Sequence, residues 1–139
     1  IVIVKKILKE EMMKIDTQKT DAQKTDTKAI GVAYYTALGE KNMDEVKKYL
    51  HPDIQFKDPQ EKVIGREAVL KAAQGFTGIF KTLTIRSKFG SEDQAMIVYE
   101  VEIPGLSKKL QAASLLSFQE GLISKIELFY DSKGIGKPD

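Results

Sequence analysis

Apolar residues in the first half of the chain recur every three to four positions, which is the spacing of an amphipathic helix. Three segments show this spacing: TKAIGVAYYTALGEKN, NMDEVKKYLHPDI and GREAVLKAAQGFTGIF. Thr27 is the predicted N-terminal cap of the first helix, and Asn42 and Pro52 are the predicted cap and end of the second. The residues that these helices are predicted to bury are Ile30, Ala33, Tyr34, Ala37, Leu38, Met43, Val46, Tyr49, Leu50, Val69, Ala72, Ala73, Phe76 and Phe80.

In the second half the apolar residues alternate with polar ones, which is typical of β-strands. A short strand, DIQFKD, precedes the third helix, and four longer strands follow it: KTLTIRSKF, QAMIVYEVEI, KLQAASLLSF and LISKIELFY. Because short links join these four strands, we expect them to pair as an antiparallel meander. Three helices followed by such a sheet indicate an α+β fold, a cone in which the helices cover one face of a curved sheet.

The same alternation divides the strand residues between two faces of the predicted sheet. The inner face, expected to meet the helices, contains Leu83, Ile85, Phe89, Ile97, Tyr99, Val101, Leu110, Ala112, Ser114, Leu116, Phe118, Ile126 and Leu128. The outer face contains Met96, Val98, Ala113, Leu115, Ile123 and Phe129, beside Glu100, Glu102, Lys125 and Glu127.

The outer face is more apolar than a surface in contact with water needs to be. An apolar patch on the outside of a sheet usually marks a partner surface. We therefore predict a homodimer through this face, with Leu115 and Phe129 near the centre of the interface. A monomer is the alternative, since scattered apolar residues are normal on protein surfaces.

Composition excludes several classes of function. The 139 residues suit one domain, and 22 Lys and Arg against 20 Asp and Glu give a net charge of +2, which gives no electrostatic reason to expect nucleic acid or an anionic membrane as a partner. No apolar run approaches the roughly 20 residues of a membrane-spanning helix. The chain has no cysteine and only one histidine, His51, which excludes thiol chemistry and a multi-histidine metal centre. We therefore expect a cytoplasmic protein that needs no metal and no organic cofactor.

The start of the chain differs in composition from the rest. Residues 16–28, DTQKTDAQKTDTK, have almost no apolar surface, which is typical of a flexible segment or a frayed helix extension. We expect the natural start to be Met12 or Met13. The predicted division is a leader or flexible extension over residues 1–26, one domain over residues 27–131, and a tail over residues 132–139.

Asp58 is the first candidate for chemistry. It ends the strand IQFK and precedes Pro59, which cannot extend a central strand. A carboxylate beside an apolar cavity is costly to keep charged, and this makes it a stronger general base. The alternative is structural, because Asp-Pro is a common turn signal.

Three further residues each have a functional and a structural interpretation. Tyr34 lies on the buried stripe of the first helix, where its hydroxyl either donates to a ligand oxygen or bonds to a neighbour in the core. Ser114 lies among apolar residues of the inner face and either contacts a ligand or fills the core. His51 lies where the second helix ends, and we assign it a structural role in capping that helix.

Several short motifs occur together in one order: YxxAL in the first helix, then MDEV, HPDIxFxDP, GxEAV and a last strand pair around a turn ending in Gly. In this order and spacing, residues 27–131 resemble the nuclear transport factor 2-like superfamily, and within it the SnoaL-like and ketosteroid isomerase-like group. The resemblance implies a cone-shaped α+β barrel with three N-terminal helices packed on a curved, mostly antiparallel sheet. It also implies a hydrophobic pocket and frequent dimerisation.

The resemblance further implies roles for single residues. Ketosteroid isomerases use a helix-1 tyrosine as donor to the oxyanion and an aspartate in a DP pair to move the proton. The matching residues here are Tyr34 and Asp58. The family's third element, a protonated aspartate on a late strand, is replaced here by Ser114, a weaker donor, which implies inefficient steroid isomerisation. The other predicted pocket residues are Tyr99, Phe56, Leu116 and Phe118.

From these residues and this resemblance we expect a protein that binds a small hydrophobic molecule in the cone. The expected reaction is proton transfer next to a carbonyl, with Asp58 as base and Tyr34 as donor to the enolate. The alternative is a non-catalytic module for ligand binding or dimerisation. The family's fold also hosts cyclases, dehydratases and epoxide hydrolases, so it does not decide the function.

Overall fold

The computed structural model describes residues 25–131, which contain three helices and six strands. In chain order these are α1 (Thr27–Gly39), α2 (Met43–Lys48), β1 (Leu50–Lys57), β2 (Lys62–Ile64), α3 (Arg66–Thr77), β3 (Thr82–Gly90), β4 (Gln94–Glu102), β5 (Leu110–Gln119) and β6 (Leu122–Tyr130). The predicted α+β class is confirmed. Residues 1–24 and 132–139 lie outside the described residues, so the division into leader, domain and tail stays a prediction.

All six strands form one sheet, in the order β2-β1-β6-β5-β4-β3. The strands β3 to β6 pair antiparallel with their neighbours, as their short links predict. β1 pairs in parallel with β6, which its long connection through α3 and the meander allows. The sheet is therefore mostly antiparallel, with one parallel pair that links its two halves.

The start of α1 is fixed by two neighbouring side chains. Asp26 is the N-terminal cap, since its carboxylate accepts a hydrogen bond of 3.1 Å from the Ala29 N–H. Thr27 is buried, and its hydroxyl contacts the Ser91 and Gln94 carbonyl oxygens at 2.7 and 2.9 Å. The prediction that Thr27 caps the helix is therefore wrong, because tertiary contacts with the β3–β4 turn take its hydroxyl.

The second helix is shorter than its apolar spacing predicts. Asn42 caps it as predicted, accepting from the Glu45 N–H at 3.1 Å, but the helix ends at Lys48. Leu50 and Pro52 belong to β1 instead, where Leu50 pairs with β6. Pro52 falls where the pairing of β1 with β6 is irregular, a position that tolerates a missing N–H.

Two irregularities in the sheet reverse the face that strict alternation assigns. The pairing of β3 with β4 shifts after Ile85, which turns Phe89 to the outer face, where it is 61% exposed. The pairing of β5 with β6 shifts beside Phe118, and Ile123 is fully buried. The inner assignment of Phe89 and the outer assignment of Ile123 are therefore wrong, because one inserted residue turns the later side chains to the opposite face.

Helix α3 is held at its C-terminal end by aromatic contacts. Val69 and Phe80 are buried, and the rings of Phe76 and Phe80 lie 4.8 Å apart. Lys41 donates a 2.7 Å hydrogen bond to the Phe80 carbonyl and lies over that ring. Ala72, which was predicted to be buried, is exposed.

Gly31 lets α1 approach the sheet closely. A Cβ atom at this position would lie 3.0 Å from Cδ1 of Ile97 and 3.1 Å from Cδ1 of Leu116. Both of these side chains are fully buried, in the middle of β4 and β5. Tyr34 and Tyr35 follow one helical turn later and are also buried, so this close approach holds both tyrosines against the sheet.

Candidate functional site

Three buried hydroxyl groups meet between α1 and the sheet. The Tyr35 hydroxyl donates a 2.6 Å hydrogen bond to Ser114 Oγ, and the Tyr99 hydroxyl lies 3.1 Å from the same Oγ. We call Tyr35, Tyr99 and Ser114 the hydroxyl cluster. Its members come from α1, β4 and β5.

The close approach of α1 to the sheet and the pairing of β4 with β5 bring these three residues together. Tyr35 lies four residues after Gly31 and so shares the side of α1 that is closest to the sheet. Ser114 pairs with Ile97 and is therefore a diagonal neighbour of Tyr99 across β4 and β5. The rings of Tyr35 and Tyr99 lie 4.6 Å apart and are tilted by 31°, which directs both hydroxyls toward Ser114.

The hydroxyl cluster has one more proton than its internal hydrogen bonds use. Three hydroxyls supply three donor protons, and two hydrogen bonds join the three oxygens. The Tyr35 and Tyr99 hydroxyls are close enough to affect each other's pKa, but their geometry is not that of a third hydrogen bond. One proton, on Ser114 or on Tyr99, is therefore left to donate to another acceptor.

All three tyrosines at this place are held in their neutral form. Burial raises the pKa of Tyr35 well above its ordinary value, and the neighbouring Tyr99 and Tyr34 raise it further. Burial also raises the pKa of Tyr99, and the nearby Ser114 and Tyr35 hydroxyls lower it by a smaller amount. The cluster therefore contains donors at neutral pH and no phenolate.

Tyr34, the predicted donor, is a neighbour of the cluster. It is buried, and its ring meets that of Tyr35 edge to face, with the centroids 4.8 Å apart. Burial and the nearby Tyr99 raise its pKa. Its hydroxyl has no hydrogen bond to any residue within 25–131. Its role as a ligand donor stays a prediction, whereas Tyr35 is the tyrosine that contacts Ser114.

Asp58 forms a turn directly after β1. Its Oδ1 accepts hydrogen bonds of 2.8 Å from the backbone N–H groups of Gln60 and Glu61, and its own N–H donates to the Glu61 carbonyl at 3.0 Å. The turn interpretation is therefore confirmed. The side chain is half-buried, and within the described residues its second oxygen, Oδ2, accepts no hydrogen bond. The catalytic role of Asp58 stays a prediction, with one oxygen fixed and one unused.

The register of the sheet places Asp58 at the edge of the inner face, directly after the end of β1. Phe56 pairs with Ile126, so Asp58, two residues later, reaches the level of Leu128, which pairs with Ser114. Two strand spacings separate Asp58 from Ser114, which is roughly 10 Å between the backbones. Leu128, half-buried and packed against the core, lies between them on the same face.

Three further predicted pocket residues lie on the inner face, on the side of the β5–β6 turn. Leu116 is fully buried, and Phe56 and Phe118 are half-buried and packed against the core. Tyr99 and Ala112 keep 4% and 7% of their surface exposed, whereas Ser114 and Leu116 keep none. The contribution of Phe56, Tyr99, Leu116 and Phe118 to a pocket stays a prediction.

A groove lies between α1 and the edge strand β3. Its volume is about 470 Å³, and Tyr35 is the one member of the hydroxyl cluster in its wall. The other lining residues are Thr36, Gly39, Glu40, Lys81, Thr82, Leu83, Thr84 and Ile85. Its wall combines hydroxyls and one charge of each sign with the apolar Leu83 and Ile85, and Tyr35 is the one predicted or observed site residue in it.

His51 has a structural role at the other end of β1. Its Nδ1 accepts a 3.0 Å hydrogen bond from the Asp53 N–H, and its Nε2 lies 3.4 Å from the Glu120 carboxylate. The contact with Glu120 joins β1 to the β5–β6 turn. Neither contact caps α2, so the predicted capping role is wrong. Glu120 and Gly121 both have positive φ, as a two-residue turn between twisted strands requires.

Within residues 25–131 no group of three or more His, Cys, Asp or Glu side chains is arranged to hold a metal ion. No helix in that same range is long and apolar enough to cross a membrane.

The cone-shaped α+β fold is that of the nuclear transport factor 2-like superfamily. A family model described as a SnoaL-like domain matches residues 32–126, and the chain therefore belongs to the SnoaL-like family. No curated protein matches the chain.

Solved structures show the same fold at low sequence identity. A putative ketosteroid isomerase from Kribbella flavida is 20% identical, with a TM-score of 0.69 over 84% of this chain and 86% of that one. An NTF2-like protein of unknown function from Cytophaga hutchinsonii is 20% identical, with a TM-score of 0.68 over 77% and 91%. An LEH-like epoxide hydrolase from M. tuberculosis is 14% identical, with a TM-score of 0.68 over 80% and 86%. Such different proteins share the fold, so the site must be argued from its own residues.

Tyr35 is the site residue that the apolar spacing missed. The predicted stripe of α1 passes through Tyr34 and leaves Tyr35 to one side, yet both are only 3% exposed. The signal was Gly31, because a helical glycine four residues before an aromatic residue marks the side on which the helix meets its neighbour most closely.

Proposed function

We propose that the hydroxyl cluster binds an oxygen atom of a small hydrophobic molecule held in the cone. The observation behind this proposal is the proton that the cluster does not use internally. A carbonyl oxygen, or the negative oxygen that develops from it, accepts such a proton without supplying one. Because Ser114 is fully buried, a hydrogen bond there forms in a low dielectric, where it is electrostatically strong.

The reaction that we propose is proton transfer next to that carbonyl. Oδ2 of Asp58 takes a proton from the carbon beside the carbonyl, and the electron pair of the broken C–H bond forms an enolate. Tyr35, Tyr99 and Ser114 stabilise its negative oxygen by hydrogen bonding. Asp58 then returns the proton to another carbon, so the molecule is isomerised with no change in oxidation state. Tyr34 is the second candidate donor, because its hydroxyl is unbonded within the described residues.

The test is the ultraviolet absorbance of a β,γ-unsaturated 3-oxo-steroid, which rises when the double bond moves into conjugation. We expect turnover by the wild type and none by Asp58→Asn, while both bind the conjugated product. Asparagine keeps the side-chain oxygen that accepts from Gln60 and Glu61, so the turn should remain folded. Asp53→Asn is the matched control, since Asp53 is an exposed carboxylate on β1, the strand that Asp58 directly follows.

The result decides between the enzyme and a non-catalytic ligand-binding module. Equal turnover by wild type and Asp58→Asn would contradict the role of the base. Product binding without turnover in any of the three proteins would favour the non-catalytic module.

We also propose that the outer face of the sheet forms a homodimer. Two adjacent rows of apolar residues cross it, and we call them the outer patch: Phe89, Met96, Val98, Ala113, Leu115 and Phe129. Its two phenylalanines are 61% and 46% exposed, which is unusual for large apolar side chains lying together.

The border of the outer patch favours a second copy of this chain as its partner. Two positively charged side chains, Arg86 and Lys125, lie near this border. Two negatively charged side chains, Glu100 and Glu127, lie near it as well. A surface with both signs at its border is self-complementary, as a twofold interface requires. Light scattering at micromolar concentration should give twice the mass of one chain, and a monomer would contradict the proposal.

A further inference from the structure

The groove between α1 and β3 runs along a free edge of the sheet. Among the strands of residues 25–131, β3 pairs only with β4, so its other edge has no strand beside it. The groove wall contains five consecutive residues, 81–85. Because successive side chains of a strand point to opposite faces, five consecutive residues line one groove only where it follows the backbone. The unpaired N–H and C=O groups of an edge strand are a template for an added strand.

Helix α1 leaves this edge open at its C-terminal end. A Cβ atom at Gly39 would lie 3.4 Å from the carbonyl oxygen of Leu83 and 3.5 Å from its Cβ atom. Since glycine has no side chain, nothing from this position of α1 covers the backbone of Leu83. An exposed sheet edge of this kind is where extended peptides bind by adding a strand.

Along the side of β3 that faces α1, two apolar residues lie between two cations. Leu83 and Ile85 are half-buried, and both pair with inner-face residues of β4. Lys81 precedes Leu83 by two residues, and Lys88 pairs with the buried Ile97, so both lysines belong to this same side. Neither lysine side chain has a hydrogen bond or ion pair within the part of the chain that the structure describes.

We propose that the free edge of β3 binds an extended segment of another protein, which adds a seventh strand to the sheet. The segment has two apolar residues between two acidic ones, with a spacer residue at each step. Its apolar side chains contact Leu83 and Ile85, and its carboxylates face Lys81 and Lys88. The backbone hydrogen bonds supply affinity, and the alternate side chains select the partner.

The charges of this edge disfavour a second copy of the chain as the partner. Residues 81–90 include three cations, Lys81, Arg86 and Lys88, and no Asp or Glu. Pairing two such edges would bring the cations of one copy beside those of the other, and like charges on paired strands are destabilising. Glu40, the one acidic residue in the groove wall, belongs to the α1 side. An acidic segment therefore fits the edge of β3 better than the edge fits itself.

The test uses a fluorescein-labelled peptide, Glu-Thr-Val-Thr-Val-Thr-Glu, whose pattern is the same in both directions, followed by fluorescence anisotropy. Two further versions carry N-methyl groups, one on both valine amides and the other on two threonine amides. Because successive N–H groups of a strand point to opposite sides, only one version keeps the donors that face β3. We expect one methylated version to bind like the parent peptide and the other to bind about tenfold or more weakly.

Two pairs of variants locate the binding site. Lys81→Glu should weaken the parent peptide about fivefold, whereas Lys71→Glu, an exposed control on α3, should not. Gly39→Leu places a side chain in the groove and should abolish binding. Gly75→Leu is its matched control, because a Cβ atom at Gly75 meets nothing within 4 Å. Circular dichroism checks that each variant is folded, and Lys81→Glu decides the case if Gly39→Leu is not.

Several outcomes would overturn the proposal. Equal effects of the two methylations would refute strand addition, and equal binding by Lys81→Glu and the wild type would refute the acidic pattern. If the wild type binds none of the peptides, Lys81 and Lys88 only guard the edge against pairing. If the peptide converts a dimer to a monomer in light scattering, a second copy occupies the edge. None of these results depends on the hydroxyl cluster, so the proposed function is tested separately.

Discussion

Replacing Gly31 with alanine tests whether α1 lies as close to the sheet as its contacts indicate. The added methyl would lie 3.0 to 3.1 Å from Ile97 and Leu116, where ordinary contacts are 3.4 Å or more. Either the two core side chains or the helix must move by a few tenths of an ångström. Gly75→Ala is the matched control, because Gly75 is also inside a helix and a methyl there meets nothing within 4 Å.

The two substitutions share one favourable effect and differ in one unfavourable effect. Alanine is favoured over glycine inside a helix by about 1 kcal/mol. Overpacking a core costs typically about 1 to 3 kcal/mol. Gly75→Ala should therefore raise the free energy of unfolding by about 0.5 to 1 kcal/mol. Gly31→Ala should lower it by up to about 2 kcal/mol, the overpacking cost less the helix gain.

Urea unfolding followed by circular dichroism measures both changes. For a domain of this size, 1 kcal/mol corresponds to about 4 °C in Tm, so thermal unfolding is an independent check. Opposite signs for the two variants would support the close approach of α1. Equal stabilisation by both would refute it, and with it the contact that holds Tyr35 against Ser114.

Two further predictions concern the tyrosines and the outer patch. The pKa values of Tyr34, Tyr35 and Tyr99 lie above their ordinary 10.0 in the folded state, so above about pH 10 the unfolded chain loses protons that the folded chain keeps. Stability should be unaffected by these groups below pH 10 and fall above it, each contributing up to about 1.4 kcal/mol per pH unit. Urea unfolding between pH 9 and 11 should show a shallower fall for Tyr35→Phe, and an identical slope would contradict the burial of its hydroxyl. Phe89→Ser should shift light scattering toward the monomer, whereas Ile79→Ser, a control that is 55% exposed and off the sheet, should not. A dimer undisturbed by Phe89→Ser would place the interface elsewhere.

Local signals in the sequence predicted most of the fold. Helical spacing located all three helices, and the short links between β3, β4, β5 and β6 predicted their antiparallel pairing. The features that were missed depend on residues far apart in the chain. Leu50 lies in a strand because it pairs in parallel with β6. Phe89 lies on the outer face because the pairing of β3 with β4 shifts by one residue, which a strict alternation of inner and outer residues does not predict.

Local signals in the sequence also predicted part of the candidate site. Alternation placed Tyr99 and Ser114 on the inner face, because side chains on one face follow from a period of two. Which tyrosine of α1 meets Ser114 depends on how the helix rotates and how closely it packs, and this was visible only in the contacts of Tyr35. For Asp58 the turn interpretation does not exclude the role of a base. Its Oδ1 forms the turn, and its Oδ2 accepts no hydrogen bond within the described residues.

The binding of a ligand oxygen by the hydroxyl cluster can be decided by titrating 2-naphthol into three proteins and following its fluorescence. These are the wild type, Ser114→Ala, and Ser117→Ala, whose hydroxyl is on the other face of β5 and bonds to Gln94. The spare proton of the cluster predicts binding that is about fivefold or more weaker in Ser114→Ala and unchanged in Ser117→Ala. Equal affinities in all three proteins would contradict it.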